Sequence, residues 1–577
     1  MAPILVLWAV AARSDEIRTF SFLPLSDGGA PQLISYDPGT STLADLLPLI
    51  GIRFWDEGVF GQGATVANVE GGYAWSGHET LIHIPTNQWF AGEGVTGTPT
   101  AHATATAHII AGLGPTNHLG QYYLLSLGLA PLVDLWSGDV ATGFGENGSF
   151  SITSASLFSA YEFAFGQADV INSSWGGSGE GTVSGSDLYT VALDAMARTH
   201  PTTTFVIAAG NHDPSKSEDP SVVFPASGFN GISVGALATA HTYESVASFS
   251  NYGPGDFYNP LTDTLISGVR ATVDLSAPGT YIGAAYSTND PLAYAAFSGT
   301  SAAAPIIAGG AALMVSASTI LEANPSAVSN GWTSSARDSR VIKAVLMNTA
   351  DRLAGWSNES ALLDHVDVTE YLGGGITLVT TFDGVQVTTQ GVDYAQGSGR
   401  LNLDRAFDSY VGGQWLLNSI VAQSDQVWTF NQAWVAGETV TATLTWFADR
   451  QMTLGLDYSV ETQVTDAENS VTNAALANLD LELWFWNEGL TQLYAASRSE
   501  YNNTEHLVFT VNDPGVYALR VVHAGMVFGE SAEPETYALA WNVVPEPSMV
   551  VLLSLCLIPL SIRRYVRRRA LRSAIQR

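Results

Sequence analysis

Cysteine and basic residues are scarce in this 577-residue chain. The single cysteine, Cys556, cannot form an intramolecular disulfide, so cysteine usage neither supports nor excludes export from the cell. Lysine and arginine total 22 against 54 aspartate and glutamate residues, which gives a formal net charge of -32. Phosphate binding needs basic patches, so this balance argues against nucleic acid as a partner and favours solubility outside the cell or in salt.

Hydrophobic residues are plentiful, at 46% of the chain, which excludes a disordered polymer. The length is sufficient for a large catalytic domain and at least one more domain. An apolar run near the N-terminus, 4–12, resembles the apolar part of a secretory signal. We therefore predict a signal-peptide remnant over 1–13 and a short lead-in over 14–50.

The C-terminus combines three ordered features. The triplet Pro545-Glu546-Pro547 precedes an uncharged run, 549–562, and six arginines follow between 563 and 572. A basic cluster after an apolar run is typical of a stop-transfer segment with its tail in the cytoplasm. The segment 544–577 resembles the PEP-CTERM sorting signal of Gram-negative bacteria. This resemblance implies a membrane-sorting helix and processing by an exosortase at the inner membrane, whereas the alternative is a plain membrane anchor.

Between 51 and 408, strands of the buried type alternate with helices rich in alanine. Apolar residues at 64, 66, 67 and 69 predict a strand that ends at Glu70, and 204–211 predicts another that ends in the amide side chain of Asn211. A helix of small residues begins at His102, and a last helix is predicted over 339–353. Such alternation indicates an α/β domain with a mostly parallel sheet and helices on both faces.

From 412 to 543 the pattern changes to an alternation of apolar and polar residues with a period of two. Examples of this alternation lie at 440–446, 479–484 and 517–522. Short strands of this kind, separated by turns, predict a second, all-β domain that is a sandwich or jelly roll.

Ser301 lies within a run of small residues from Gly299 to Gly310. Small residues without polar partners are typical of a buried, closely packed helix. Ser301 would sit at the N-terminal end of that helix, where backbone N–H groups and the helix dipole favour a nucleophilic hydroxyl. The alternative is an ordinary core helix that Thr300 or Ser301 caps.

Six short motifs follow one order along the chain and together resemble the subtilisin-like serine proteases. They are His102-Ala103-Thr104 with the helix that follows, Ser174-Trp175-Gly176-Gly177, Ala208-Ala209-Gly210-Asn211, Phe249-Ser250-Asn251-Tyr252-Gly253, Ala277-Pro278-Gly279 and Gly299-Thr300-Ser301. The resemblance covers residues 52–408. It implies a subtilisin-like fold and a serine endopeptidase that hydrolyses peptide bonds through an acyl-enzyme.

The resemblance implies a role for each site residue. Ser301 would be the nucleophile, His102 the general base and Asn211 a donor in the oxyanion hole. The cleft for an extended substrate strand would include Ser174, Trp175 and Gly176.

The orienting carboxylate departs from the family pattern. The family has Asp at the end of the first strand, whereas this chain has Glu70 followed by two glycines. Glu is one methylene longer and can still accept from an imidazole N–H, as in the sedolisin relatives, so we predict activity with altered geometry. Asp56 is the nearest other acid, but it precedes the strand. His108 falls on a different helix face from His102 and is predicted to be structural.

The chemistry implied by the resemblance requires no cofactor. The second domain looks like the β-barrel appended to some large alkaline subtilases. Its oxygen-bearing side chains Asp480, Asn503 and Glu505 are weak candidate ligands for a structural calcium ion. The alternative is that these residues finish turns.

The leading hypothesis is an exported endopeptidase that acts on peptide or protein substrates in the cell envelope or extracellular matrix of a Gram-negative bacterium. The C-terminal helix would hold it in the membrane before processing. A second hypothesis is a catalytically weak or inactive subtilase-scaffold binding protein of the envelope or exopolysaccharide matrix, which Glu70 and the sorting tail favour. A third is a processing enzyme for neighbouring PEP-CTERM proteins.

Overall fold

The computed structural model describes residues 51–114, 127–145, 149–177, 181–216, 218–238, 243–323, 334–371, 377–453, 470–530 and 533–544. The predicted signal remnant, 1–13, and lead-in, 14–50, lie outside these residues. The sorting segment after Val544, with its predicted span 549–562, also lies outside them.

The N-terminal part alternates strands and helices, as the spacing of its apolar residues predicts. Its elements are α1 (Ile52–Asp56), β1 (Thr65–Glu70), β2 (Trp89–Ala91), α2 (Ala101–Ala111), β3 (Asp134–Asp139), β4 (Gly143–Phe144), β5 (Phe150–Ser151), α3 (Ser154–Gln167), β6 (Val170–Ser173), α4 (Leu188–Thr199), β7 (Thr204–Ala208), β8 (Ile232–Ala238), β9 (Ser245–Val246), β10 (Gly255–Asn259), β11 (Thr264–Arg270), β12 (Leu275–Pro278), β13 (Ile282–Ala285), β14 (Tyr294–Phe297), α5 (Thr300–Ala323) and α6 (Ser339–Asn348). Short 3-10 helices cover Thr86–Gln88 and Ser334–Arg337.

A mostly parallel sheet lies at the centre of this part. Its strand order is β12-β8-β7-β6-β1-β3-β2, and β9 pairs antiparallel with β8. The register places Glu70 of β1 opposite Asp139 of β3, and Asn68 of β1 opposite Asn172 of β6. Parallel strands share a carboxyl edge, and ligands of open α/β sheets bind outside that edge.

Helices cover both faces of the sheet, which confirms the predicted layering. One core combines α2, α5 and α6 with residues such as Val66 and Val206, and the other combines α3 and α4 with residues such as Ala67 and Phe205. Successive residues of a strand point to opposite faces. Burial on both faces is the reason why these strands read as continuous apolar runs.

Helix α5 lies in the interior. Its segment Thr300–Thr319 is the one stretch of the described chain with the length and hydropathy of a membrane span, and 94% of its most apolar window is buried inside the protein. Ala302, Ala303 and Ala304 are fully buried. Its composition is therefore explained by close packing in the core.

The C-terminal part is rich in strands. In chain order the remaining elements are β15 (Ala361–Leu363), β16 (Val366–Tyr371), β17 (Thr377–Phe382), β18 (Val385–Thr388), α7 (Leu403–Val411), β19 (Trp415–Ile420), β20 (Asp425–Thr429), β21 (Thr439–Trp446), β22 (Asp449–Thr453), β23 (Ser470–Trp486), β24 (Leu490–Ser497), β25 (Thr504–Thr510), β26 (Tyr517–Phe528) and β27 (Glu535–Val544). Of these, α7 packs in the core of the N-terminal part, where the ring of Phe407 meets that of Phe54. One sheet has the order β15-β18-β24-β23-β26-β20, with β22 paired to β23, and a second has the order β19-β27-β21-β25. The two sheets share a core that includes Trp446, Leu481, Tyr517 and Leu539.

The segment 361–388 joins this β-rich part although it precedes the predicted boundary near residue 408. Strand β18 pairs parallel with β24, with Val387 opposite Ala496, and β15 pairs with β18. After β18 the chain returns to the N-terminal part, where Arg400 forms bridges with Ser276 and Asp351. The local pattern of a strand does not reveal a partner strand that lies about a hundred residues away in the chain. The alternation of residues therefore could not assign 361–388 to the β-rich part.

Candidate active site

Ser301 is the second residue of α5, which confirms the predicted helix. Its hydroxyl donates to the carbonyl oxygen of Ser174 at 2.8 Å. The residue before it, Thr300, donates its backbone N–H to Asn211 Oδ1 at 2.9 Å. These contacts fix the first turn of α5 against the segments that follow β6 and β7.

Glu70 is the last residue of β1 and is completely buried. Its Oε1 accepts from the backbone N–H of Ser174 at 3.1 Å and from Asn172 Nδ2 at 3.4 Å. Its Oε2 lies 3.2 Å from His102 Nδ1. Within the described residues Oε2 accepts no hydrogen bond of good geometry, so its contact with the imidazole is a close approach at ion-pair distance. The carboxylate therefore has one oxygen held by the scaffold and the other directed at the histidine.

The turn after Glu70 brings the strand to the start of α2. Gly72 has a φ of +102°, and a Cβ there would lie 2.4 Å from Thr100 Cγ2, so only glycine fits this position. Thr100 caps α2 by accepting from Ala103 N–H, and its hydroxyl donates to the carbonyl of Gly71. One side chain thus joins the acid's turn to the first turn of the helix that carries the histidine.

His102 is the second residue of α2, and 37% of its side chain is exposed. The ring of Phe297 meets it edge-on, with centroids 5.3 Å apart. In the neutral imidazole, a proton on Nδ1 that faces the carboxylate makes Nε2 the acceptor. This is the tautomer that a general base needs.

Two buried asparagines support Glu70, and sequence reasoning missed them. Asn172 Nδ2 lies within hydrogen-bond distance of Asn68 Oδ1, Glu70 Oε1 and Ser174 Oγ. Asn68 in turn donates to the carbonyl of Ala103 on α2 and to the Thr106 hydroxyl. The signal that could have found them is an amide side chain inside an otherwise apolar strand, because a buried polar group needs partners.

Ser174 connects the acid to the nucleophile through its backbone. Its N–H donates to Glu70, and its carbonyl accepts the hydroxyl of Ser301. The hydroxyl of Ser301 therefore points along the strand edge in this structure rather than toward His102. No hydrogen bond joins this hydroxyl to His102 among the described residues.

Asn211 follows β7 and is exposed. Its Oδ1 accepts from both the N–H and the hydroxyl of Thr300. Because the oxygen is held by these donors, the amide is oriented and its Nδ2 is available as a donor beside the start of α5.

A cleft of about 650 Å³ adjoins these groups. Ser174, Trp175, Gly176, Asn211 and Ser301 line it, so the structure brings the predicted cleft residues together with the nucleophile. Trp175 has a second role that the sequence did not suggest. Its indole N–H donates to the carbonyl of Val69 at 3.1 Å, and its ring packs edge-on against the ring of Phe224.

Three other polar residues, Asp56, His108 and Asp139, lie elsewhere or are already engaged. Asp56 is exposed at the end of α1. His108 is buried, and its Nδ1 accepts from Ala285 N–H, which confirms a structural role. Asp139 is the second buried acid at this sheet edge. Burial raises its pKa, although N–H donors from Ala141, Gly72 and Thr98 lower it, so this carboxyl serves to fix the loops.

The weak calcium candidates are engaged inside the protein. Asn503 Nδ2 donates to the carbonyls of Phe229 and Trp446. Glu505 accepts from Ser497 and from the backbone of Ser499, and Asp480 lies 3.6 Å from Arg498 Nε. Within the described ranges, no group of three or more His, Cys, Asp or Glu side chains is arranged to hold a metal ion. This donor set does not fit a calcium site.

Comparison with known proteins identifies the class. The profile of the subtilase family, Peptidase S8, matches residues 90–399, which is more than half of the chain. The match contains His102, Asn211 and Ser301 and begins after Glu70. The chain belongs to the subtilase family and is a serine-type endopeptidase.

Two curated relatives agree with this class. Subtilisin DY from Bacillus licheniformis is 29% identical over 261 residues, which are 45% of this chain and 79% of that protein. A thermostable alkaline protease from Halalkalibacterium halodurans is 31% identical over 262 residues, 45% of this chain and 59% of that protein. Among solved structures, the prenylagaramide maturation protease PagA aligns with 21% identity and a TM-score of 0.42, over 63% of this chain and 98% of that one.

Proposed function

We propose that the chain is an exported endopeptidase in which Ser301 is the nucleophile, His102 the general base, Glu70 the orienting carboxylate and Asn211 an oxyanion donor. The observation that carries the proposal is the 3.2 Å approach of Glu70 Oε2 to His102 Nδ1, made by a buried carboxylate whose other oxygen is already held.

Acylation begins when the Ser301 hydroxyl turns from the Ser174 carbonyl to His102. Nε2 takes the hydroxyl proton while Oγ attacks the peptide carbonyl carbon, and Glu70 stabilises the imidazolium that forms. The imidazolium then gives its proton to the leaving amine as the C–N bond breaks. Water hydrolyses the acyl-enzyme through the same groups in reverse, so Ser301 is restored.

The negative charge that develops on the peptide oxygen needs fixed donors. Asn211 Nδ2 and the N–H of Ser301 are the two proposed donors. The hydrogen bonds from Thr300 to Asn211 Oδ1 support this role, because they orient the amide before substrate arrives.

Hydrolysis of casein tests the proposal when it is compared across matched serine variants. We expect the wild type to cut casein and Ser301→Ala to lose this activity without a change in fold. Ser298→Ala is the control, because Ser298 is an exposed serine three residues away whose hydroxyl accepts from Tyr281 N–H. The assignment would be contradicted if both variants lost casein hydrolysis equally, or if Ser301→Ala cut casein at the wild-type rate.

A subtilase-scaffold binding protein is the second candidate function. The orientation of the Ser301 hydroxyl toward Ser174 is the observation that favours it, because a serine held there is not activated. A well-folded wild type that cuts no protein substrate would support this alternative. Mapping the cut sites of an active wild type would define its substrate class.

We further propose export and sorting to the cell envelope, on the basis of the apolar N-terminal run and the features of 544–577. Exosortase is the partner that this tail implies, and the tail would anchor the protein in the membrane before processing. Mass analysis of the mature protein from envelope fractions tests this. We expect the arginine-rich end to be absent there, and an intact tail on all envelope protein would contradict it.

The donors at Asp480, Asn503 and Glu505 are engaged inside the protein and do not fit a calcium ion. A structural calcium ion elsewhere in the protein stays a prediction. Thermal melting with calcium and with a chelator is the test. Equal melting temperatures in calcium and in chelator would contradict a structural calcium ion.

A further inference from the structure

We propose that Arg450, from the β-rich part, is a positioning residue of the substrate cleft. It holds the two loops that form the cleft walls near Ser301 and so determines which substrate side chains fit. The first wall is the loop 181–186 before α4, and the second wall is the loop 221–230 between β7 and β8. This inference rests on the peptidase function proposed above.

Both walls contribute directly to the cleft. Thr182 and Val183 line it from the first wall, and Val223 and Phe224 line it from the second. The carbonyl of Phe224 accepts the N–H of Gly177 at 3.0 Å, which joins the second wall to the strand edge that carries Ser174. A shift of either wall therefore changes the width of the space beside the nucleophile.

Arg450 bonds to the backbone of the first wall. Its Nη1 donates to the carbonyl of Gly185 at 2.9 Å, and only 2% of its side chain is exposed. The walls meet at this point, because a Cβ on Gly185 would lie 2.3 Å from the carbonyl oxygen of Ser227. The backbone that Arg450 holds is thus in contact with the second wall.

Arg450 also acts on the second wall. Its guanidinium lies 4.9 Å from the centre of the Phe229 ring, a cation–π distance. Its Nε is 4.0 Å from Asp194 Oδ2, and Asp194 accepts the backbone N–H groups of Phe229 and Asn230, each at 2.9 Å. Burial lowers the pKa of Arg450, and the charges of Asp194 and Asp187 oppose that effect, which favours a charged guanidinium.

Neighbouring bonds set the position of the β-rich part on the same wall. Asn230 Nδ2 donates to the carbonyl of Ala448 at 3.0 Å, and Ala448 N–H donates back to Asn230 Oδ1 at 2.8 Å. Asn503 Nδ2 donates to the carbonyl of Phe229 at 2.8 Å. These hydrogen bonds fix the backbone at Ala448 against the second wall. Arg450 follows two residues later, so its position relative to the walls is also fixed.

The N-terminal part keeps a second anchor of its own. Arg270 donates to the carbonyls of Ser184, Ser227 and Gly228. Asp194 also keeps its two backbone donors when Arg450 is changed. Loss of Arg450 should consequently loosen the walls rather than unfold them.

The test is the substrate selectivity of Arg450→Met. Two chromogenic peptides are used that differ only in the residue before the scissile bond, alanine in one and phenylalanine in the other. We expect the ratio of the two kcat/KM values to shift by roughly tenfold, because contacts in a binding pocket discriminate between substrates on that scale. We also expect KM to change more than kcat, where kcat is calculated per titrated active site. Arg520→Met is the matched control, because Arg520 is equally buried but bonds to Asp425, Glu482 and the Thr369 carbonyl within the β-rich part.

An unchanged ratio in folded, active Arg450→Met would overturn the proposal. An equal shift in Arg520→Met would also overturn it, because the effect would then follow from any lost buried charge. Should the methionine variant fail to fold, Arg450→Lys, which keeps the charge but not the fork of donors, is judged by the same ratio. A wild type that cleaves neither these peptides nor casein would overturn the peptidase function, and the positioning role with it.

Discussion

Replacing Glu70 by glutamine isolates the function of the carboxylate. The Ser174 N–H and Asn172 Nδ2 both face Oε1, so they would hold the amide oxygen of Glu70→Gln on their side. The amide nitrogen would then face His102 Nδ1, 3.2 Å away in the wild type. Since an amide nitrogen donates, Nδ1 would have to accept and the ring proton would move to Nε2, where it blocks general-base catalysis.

The expected loss is large and confined to turnover. A carboxylate-to-amide change that fixes the wrong tautomer lowers kcat roughly 10⁴-fold in another family of serine proteases. At 1.36 kcal/mol per tenfold, this corresponds to about 5.4 kcal/mol of lost transition-state stabilisation. KM should change little, because Glu70 is completely buried and does not reach the cleft surface.

The assay is hydrolysis of a chromogenic peptide with titrated active sites, alongside circular dichroism to verify the fold. Glu70→Asp is the companion variant. It removes one methylene and widens the 3.2 Å contact by up to about 1.5 Å, so an intermediate kcat is expected. Wild-type turnover in folded Glu70→Gln would refute the reasoning, because another carboxylate would then be orienting His102.

Three further predictions concern the oxyanion donor, the helix cap and a buried acid. Asn211→Ala should lower kcat roughly 10²–10³-fold in the same assay, and a loss seen in KM alone would count against the donor role. Thr100→Ala should lower the free energy of unfolding in urea by about 1 kcal/mol through the lost cap, with Thr100→Ser restoring it, and equal stability of all three proteins would be the contrary result. Burial raises the pKa of Asp480 from 3.8 to about 7, so the folded state holds this proton more tightly and stability falls as pH rises between those values. Asp480→Asn should therefore raise Tm at about pH 8 but not at about pH 4, and a gain of equal size at both pH values would contradict that origin.

Short contiguous patterns predicted most of the central fold and the positions of the site residues. The strand that ends at Glu70, the helix that begins near His102 and the helix that begins near Ser301 each depend on a continuous stretch of small or apolar residues. Burial on both sheet faces makes such stretches distinctive. The sequence therefore indicated which ends of which elements carry polar groups.

Contacts that depend on strand register could not be predicted. The backbone of Ser174 bonds to Glu70 and Ser301, which are 104 and 127 residues away in the chain. A local pattern contains no information on which strand lies beside β1, so the bridge made by Ser174 and the support from Asn172 became evident only in the folded chain.

The same limit applies between the two parts of the protein. Alternating residues predicted strands near 440–446 and 517–522, but not that Arg450 would reach Gly185, 265 residues earlier. Arginine in a strand ordinarily suggests an exposed position. Here the Gly185 carbonyl and the Asp194 carboxylate of the N-terminal part lie beside the guanidinium of Arg450. This environment exists only once the two parts have packed together.

Labelling with a serine-directed fluorophosphonate, followed by mass mapping of the modified peptide, tests the central claim most directly. The account predicts one label per molecule, located on Ser301, that disappears in His102→Ala as well as in Ser301→Ala. A folded wild type that takes up no label, or that carries it on any other serine, would contradict the account.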